Sequence, residues 1–385
     1  MTKAAAYIND IASFLPNNPV DNEHIEQVLG MAGGKPSRSR RLVLRSNGIK
    51  TRYYAIDPVT GKYTHNNAQM TAEAVRALIK KGGIKPEDME CLCCGTSSPD
   101  QLKPAHGHMV HGELAFPPCE VVSTSGVCSS GMTAMKYAYM GVALGLHKTA
   151  VCTGSEFASS FMKAVNFEQE IKSRIARLEK SPEIAFEKDF LRWMLSDGAG
   201  AALICNKPNN NRISLRIDWI DYLSFAGDMP VCMYSGAIKK ENDYLKGWRE
   251  ADNPLDVVKQ GYFTVKQDAR LLDEHVVKVT VGRALPSIAA RRRLKPDDIS
   301  WFLPHYSSEY FREKLQDSMA ANGFAIPFDR WFTNLTKVGN IGSASIYLIM
   351  EELMYSGRLK KGDRLLCYIP ESARFSVCYM HLTAT

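Results

Sequence analysis

The chain has 385 residues, 45% of them hydrophobic and 23% charged, which is enough apolar material for a large core built as two domains or as one duplicated unit. Its formal net charge of +7 suits acidic partners such as phosphates, coenzyme A or an acidic carrier protein, and it is too weak to indicate nucleic acid. Ten cysteines in a chain this long do not make a disulfide scaffold, and no apolar run is long enough for a membrane span.

In chain order, Ala5 to Phe14 reads as a first strand stopped by Pro16. The start lacks the basic region and long apolar stretch of a secretory signal, so a cytoplasmic location is expected. Ala72 to Lys81 is an amphipathic helix, and Met89 to Gly95 is a buried strand. Within it Cys91, Cys93 and Cys94 have the local spacing that opens a zinc site. No second ligand pair follows, and cysteines on one strand alternate between faces, so no metal is expected. Cys119 to Ser123, Ala150 to Gly154 and Gly200 to Cys205 are further strands, with a helix over Gly131 to Leu146. Asn206 to Arg212 is a polar break that divides the chain into 1–206 and 207–385. Beyond it the same grammar resumes: strands at Ile213 to Ile220, Phe302 to Pro304, Arg364 to Ile369 and Ser376 to Leu382, with helices at Gln267 to Arg291 and Ile346 to Ser356. This alternation predicts an α/β fold with a largely parallel sheet covered on both faces. Phe161 to Arg192 and Ala237 to Gln260 read as insertions, either pocket walls or surface decoration.

Three short segments carry chemistry. In Val121-Val-Ser-Thr-Ser-Gly-Val-Cys128-Ser-Ser-Gly-Met132 an apolar strand turns through small residues into a helix. A cysteine at a helix N-terminus feels the positive end of the dipole, so a lowered pKa and thiolate character are expected. A buried cysteine in a Gly/Ser-rich turn is the alternative. His305, in Phe302-Leu-Pro-His305, stands just past an apolar strand, where open α/β sheets bind ligands; a satisfied structural histidine is the alternative. Asn340 lies in the turn Gly339-Asn340-Ile-Gly342-Ser-Ala-Ser345, where it serves either as a turn residue or as a side-chain donor.

Taken together, these segments resemble the ketoacyl synthase III branch of the thiolase-like superfamily. Cys128 with its small neighbours, Pro304-His305, Gly339-Asn340 with Ser345, Ser196-Asp-Gly-Ala-Gly-Ala201 and Gly48-Ile-Lys-Thr-Arg52 match five family motifs in the family's order. The resemblance covers nearly the whole chain. It implies duplicated α-β-α-β-α layers with two pseudo-symmetric halves, the first carrying the cysteine and the second the histidine and asparagine. It implies an acyltransferase that takes an acyl group from a coenzyme A or carrier-protein thioester onto Cys128. A carbon nucleophile, an enolate or its equivalent, then attacks the acyl carbon. His305 and Asn340 would stabilise the enolate oxygen, and the N–H groups of Cys128 and Ser372 would hold the acyl oxyanion. No cofactor is implied, and a homodimer is.

The chain departs from the family in three places. The usual Gly-Gly-Gly-Phe loop is replaced by Pro370-Glu-Ser372-Ala-Arg-Phe375, which brings an unexpected charge at Glu371. In Pro99-Asp-Gln-Leu-Lys103-Pro104-Ala-His106 the residue before the matching proline, which in the family reaches across a dimer interface and shapes the partner's acyl tunnel, is Lys103, with a surface lysine as the alternative. The Pro-His motif continues Tyr306-Ser-Ser. These departures point to secondary metabolism and to a ketosynthase/cyclase subgroup that makes dialkylresorcinol or stilbene precursors from β-ketoacyl thioesters. Lys103, His106, Arg45, Gly339 and Ser345 are the candidate substrate-binding residues. Lys35, Arg38, Arg40, Arg41 and Arg45 are assigned to coenzyme A phosphates or a carrier protein, and Arg291 to Arg293 form a second basic stretch; solvated surface charge is the alternative for each. Delivery of the acyl group to oxygen or nitrogen, or a non-catalytic binding role, are the competing functions.

Overall fold

Apolar runs buried on both faces become the strands of one large sheet. The computed structural model describes residues 4–37, 39–168, 191–240 and 242–385. Its nine-stranded sheet is built from β1 (Tyr7–Phe14), β2 (Cys91–Thr96), β3 (Glu120–Ser125), β4 (Thr149–Glu156), β5 (Gly198–Cys205), β6 (Leu215–Ser224), β7 (Trp301–Pro304), β8 (Arg364–Glu371) and β9 (Ser376–Ala384). Their spatial order is β7-β8-β9-β6-β1-β5-β4-β2-β3.

The duplication is visible in the pairing. From the centre outward, β1 pairs antiparallel with β5, β5 antiparallel with β4, and β4 and β3 both pair parallel with β2. On the other side β6 pairs antiparallel with β9, β9 antiparallel with β8, and β8 parallel with β7. A parallel bridge from Phe302 to Trp331 stands where β3 stands in the first half. The expectation of a largely parallel sheet is therefore corrected: five of the eight neighbouring pairs are antiparallel. The cause is local. Only Ser372–Phe375 separate β8 from β9, and a loop that short can only reverse the chain.

The two halves meet edge to edge at β1 and β6 through just two residue pairs, Tyr7 with Arg216 and Ile8 with Leu215. The helices Ser130–Ala143 and Ser345–Tyr355 fill the space between them. Met132, Met135, Ile346 and Tyr347 share one core with Ile8 and Ile204 of the first half and with Leu303, Leu365 and Leu382 of the second. The opposite faces carry outer layers. Asn67–Lys80 and His106–Leu114 pack Met70, Val75 and Val110 on Leu92, Val151 and Leu203. On the other half, Leu272, Phe311 and Leu315 pack on Phe302, Leu366 and Tyr379. This is a five-layered α-β-α-β-α arrangement. Each large aliphatic side chain buried this way contributes roughly 1.5–3 kcal/mol.

The strand cysteines follow the period of two: Cys91 and Cys93 face the central layer, Cys94 the outer one. The expected long helix runs as Ala269–Val277 and Ala284–Arg292, joined by a π turn at Lys278–Arg283. Pro286 has no N–H to donate to the Gly282 carbonyl one turn back, and on the same turn the Tyr379 hydroxyl donates to the Thr280 carbonyl at 2.9 Å.

The polar break after β5 is well tied down. Asn209 Nδ2 donates to the Asn9 carbonyl at 2.7 Å, and Asn9 Nδ2 donates to the Lys207 carbonyl at 2.9 Å. Of the two expected insertions, the second forms a small hairpin, Ala237–Lys239 with Leu245–Gly247, and a short helix Pro254–Lys259. Most of the first, 169–190, lies outside the described residues, as does Arg38 of the basic stretch.

Candidate active site

Cys128 stands three residues beyond the end of β3 and two before the helix Ser130–Ala143. Gly131 lets this turn press against the second half. A Cβ there would lie 2.4 Å from the Ser343 carbonyl oxygen, and the Gly131 carbonyl accepts the Tyr347 hydroxyl at 2.8 Å. The turn that carries Asn340 is thus packed directly on the turn that carries Cys128.

The thiol does not behave as the sequence suggested. Burial pushes its pKa up from the ordinary thiol value, and the charges of Glu371 and Glu156 push it further. The expected dipole-lowered thiolate is corrected by a carboxylate absent from that reasoning. Glu371 Oε2 accepts the N–H groups of Val127 and Ser129, each at 3.1 Å, and also the Ser129 hydroxyl. Glu371 therefore occupies the anion position at the start of the helix, which the thiolate would otherwise exploit.

His305 begins the loop after β7, and its N–H donates to the Tyr368 carbonyl of the neighbouring strand β8 at 2.8 Å. That register sets it three residues from Glu371 along adjacent strands. Its side chain is buried, and desolvation brings its pKa down to about 4, so the imidazole is neutral at pH 7. Among the described residues neither ring nitrogen has a hydrogen-bond partner.

Asn340 is held on both sides. Its N–H donates to the Met194 carbonyl and its own carbonyl accepts from Ser196 N–H, both at 2.9 Å. Its side-chain Oδ1 accepts from Gly342 N–H at 2.9 Å, which turns the Nδ2 donors away from their own loop. Gly339 has φ 75°, in the left-handed region, and a Cβ there would stand 3.0 Å from both Arg52 Cγ and Ser196 Cβ. Ser345 Oγ accepts from Ile341 N–H at 3.0 Å and so closes the same turn. Gly339 and Ser345 shape the loop that presents Asn340.

The remaining candidates have surroundings of their own. Ser372 is buried and its hydroxyl accepts from Gln267 Nε2 at 3.0 Å; contact with the Cys128 turn comes from Glu371 beside it. Phe375 closes this glycine-free loop with φ 57°, a conformation that costs a bulky residue strain, and its buried ring and its carbonyl bond to Phe225 N–H hold it there. His106 is buried, its Nε2 3.2 Å from Ser155 Oγ and 3.4 Å from Thr71 Oγ1, contacts that serve the first half's core. Lys103 is exposed in the segment that leads to His106–Leu114, and Arg45 is exposed at the end of Arg40–Asn47. Arg40 pairs with Glu23 and Glu26, and Arg291 and Arg292 both pair with Asp221, at 2.7 and 2.6 Å. Those three arginines are committed to structural ion pairs. Arg52 is fully buried and donates to the Trp193 carbonyl, which anchors the segment before Asn340's neighbour Ser196.

Sequence reasoning missed Glu156. It ends β4, is buried, and accepts from Ser97 Oγ at 2.6 Å, Ser98 Oγ at 2.8 Å and Ser343 N–H at 3.2 Å. Desolvation raises its pKa against those hydrogen bonds. The available signal was an acidic residue at the C-terminal end of an apolar strand. Among the described residues, Cys91, Glu120 and His147 bring metal-type donor atoms within 4.8 Å of one another, at the opposite ends of β2 and β3 from Cys128. Each already has a protein partner: His147 and Glu120 pair at 3.0 Å, and the Cys91 and Cys93 sulfurs are 3.5 Å apart.

Known proteins share this architecture and this length. Residues 289–368 match the family model described as 3-oxoacyl-[acyl-carrier-protein] synthase III C terminal. A β-ketoacyl-[acyl-carrier-protein] synthase III from Sulfurovum sp. (strain NBC37-1) is 24% identical over 364 residues, covering 94% of this chain and 91% of the relative. Over nearly its whole length the chain is similar to β-ketoacyl-[acyl-carrier-protein] synthase III proteins. A synthase III from Clostridium novyi (strain NT) is 22% identical over 93% of both chains. Among solved structures, a tetronic acid condensing enzyme superposes with TM-score 0.74 at 18% identity, over 98% of this chain and 99% of that one. OleA of Xanthomonas campestris, solved with bound lauric acid and lauroyl-CoA, superposes with TM-score 0.71 at 16% identity over the full length of both. As a synthase III-like protein, the chain is an acyltransferase of the thioester-condensing class.

Proposed function

We propose that the protein loads an acyl group from a coenzyme A or carrier-protein thioester onto Cys128 and condenses it with a second thioester through an enolate held by His305 and Asn340. The observation that carries this reading is the donor pair. A buried imidazole kept neutral by desolvation and an amide whose Oδ1 is already engaged both present N–H groups suited to a developing negative charge. In this division of labour, residues 1–206 supply the nucleophile and 207–385 the enolate-stabilising pair. Departures at Lys103, Glu371 and Tyr306 support a second substrate more polar than malonate's simple product chain, such as a β-ketoacyl unit, with ring closure to a resorcinol or cyclohexanedione precursor.

The enzyme acts as a homodimer in this reading. Strand β3 is an edge of the sheet, and the adjoining helix exposes Tyr137 and Met140, so a second copy would cover unpaired backbone groups and apolar surface together. Light scattering should give twice the 42.9 kDa chain mass, and a monomer would remove this part of the reading. Product analysis by mass spectrometry, with a panel of acyl and β-ketoacyl thioesters, tests the substrate assignment. The expected result is a condensed, dehydrated ring product only when a β-ketoacyl thioester is supplied. A linear product with malonyl thioester alone would assign the protein to simple chain initiation.

A further inference from the structure

We propose that Glu371 is a positioning residue that acts through Cys128, fastening the nucleophile's turn to the second half of the fold and placing a restraining negative charge at the helix end. The inference rests on the reading of Cys128 as the acyl-carrying nucleophile.

The geometry is a cluster of hydroxyls and N–H groups gathered around the Glu371 carboxylate. Glu371 Oε2 takes the Val127 and Ser129 N–H groups and the Ser129 hydroxyl. Ser129 Oγ is 2.8 Å from the Tyr222 hydroxyl, which is 3.1 Å from Ser376 Oγ, and Ser376 Oγ returns to Glu371 Oε1 at 3.4 Å. Strands β6, β8 and β9 of the second half thus grip the residues on either side of Cys128. Of the two N–H groups flanking the nucleophile, neither is left for a substrate anion. That leaves the Cys128 N–H as the turn's one donor for an acyl oxyanion.

The charge has a separate consequence. Glu371 on β8 and Glu156 on β4 are the charged groups that act on the Cys128 thiol, Tyr222 on β6 reaches the turn through Ser129, and the neutral His305 lies beyond β7. Both carboxylates favour the protonated thiol. In loading, the Cys128 sulfur bonds to the acyl carbon, the carrier's carbon–sulfur bond breaks, and the thiol proton ends on the departing carrier thiol. A resting thiol held protonated reacts poorly with small electrophiles and oxidants, which attack thiolate. Reaction is thereby reserved for a bound thioester.

The test measures the pH dependence of Cys128 alkylation by iodoacetamide, located by peptide mass, in the wild-type protein and in Glu371→Gln. Removing an adjacent charge typically moves a titration by a unit or more, which gives about tenfold more thiolate at pH 7. The lower-pKa thiolate is also a weaker nucleophile, so the expected net gain is about threefold in rate, with the whole profile displaced to lower pH. Glu371→Asp, which keeps the charge, should retain the wild-type profile. Overlapping profiles for wild type and Glu371→Gln would overturn the proposal. Should Glu371→Gln not fold, Ser129→Ala serves instead: it removes a donor that offsets the carboxylate charge and should slow alkylation, and unchanged or faster alkylation there would equally overturn it. Alkylation needs no acyl donor. A protein never acylated at Cys128 by any thioester would defeat the functional reading while leaving the alkylation result to stand or fall by itself.

Discussion

Cys128→Ala lowers condensed product by at least about a thousandfold, because the covalent intermediate has no other atom to form on. The substitution keeps Cβ and removes one partly buried sulfur, so the turn should survive. Its fixtures are the Glu371 bonds to Val127 and Ser129 and the Gly131 contact with Ser343, none of which involves the thiol. Thermal melting should therefore change little while product, measured by mass spectrometry under excess thioester, disappears. Retained turnover in the alanine variant would show that the acyl group travels by another route.

Asn340→Ala separates the two half-reactions. Loading onto Cys128 uses no enolate and should persist within a few-fold. Condensation should fall by about a hundred- to a thousandfold, the usual cost of deleting one oxyanion-type donor, equivalent to roughly 2.7–4 kcal/mol. The structure makes the side chain a good donor because Gly342 N–H engages Oδ1 and fixes the amide's orientation. Losing that bond frees one loop N–H, at about 1 kcal/mol, too little to unfold a core that spans both halves. Loading and condensation rates measured side by side give the answer. If both survive, the acyl group is delivered to oxygen or nitrogen and no enolate is made.

His305 fits the same role by its titration. Its pKa is about 4 when folded against 6.5 for the free side chain, so protonation favours the unfolded chain. The associated stability is complete above about pH 6.5 and is lost as pH falls through about 4. Across the neutral range the ring stays an uncharged donor, which polarises an oxygen without adding a fixed cation.

The duplicated α/β fold was legible because period and burial are local properties. Apolar runs marked every strand of the sheet, and the repeated grammar on either side of residue 206 marked the two halves. Strand direction was not legible, since it depends on which distant strand each one meets; β1 finds β5 and β6, nearly two hundred residues later. The site was readable as residues. Cys128, His305 and Asn340 each sit in short segments whose glycines and small side chains betray tight turns. Their electrostatics were not readable. Glu371 and Val127 are 244 positions apart, and a carboxylate that close reverses what a helix end would do to the thiol. The same distance problem misled the basic stretch Arg291 to Arg293, because Asp221, which claims two of its members, lies on β6.

The account turns on Cys128 as the acyl carrier. Intact-mass spectrometry of the wild-type protein, incubated with an acyl thioester and no second substrate, tests it most directly. The predicted result is one added acyl group per chain, carried on the peptide that contains Cys128 and absent from Cys128→Ala. An acyl group on any other residue, or its persistence in the alanine variant, would contradict the account.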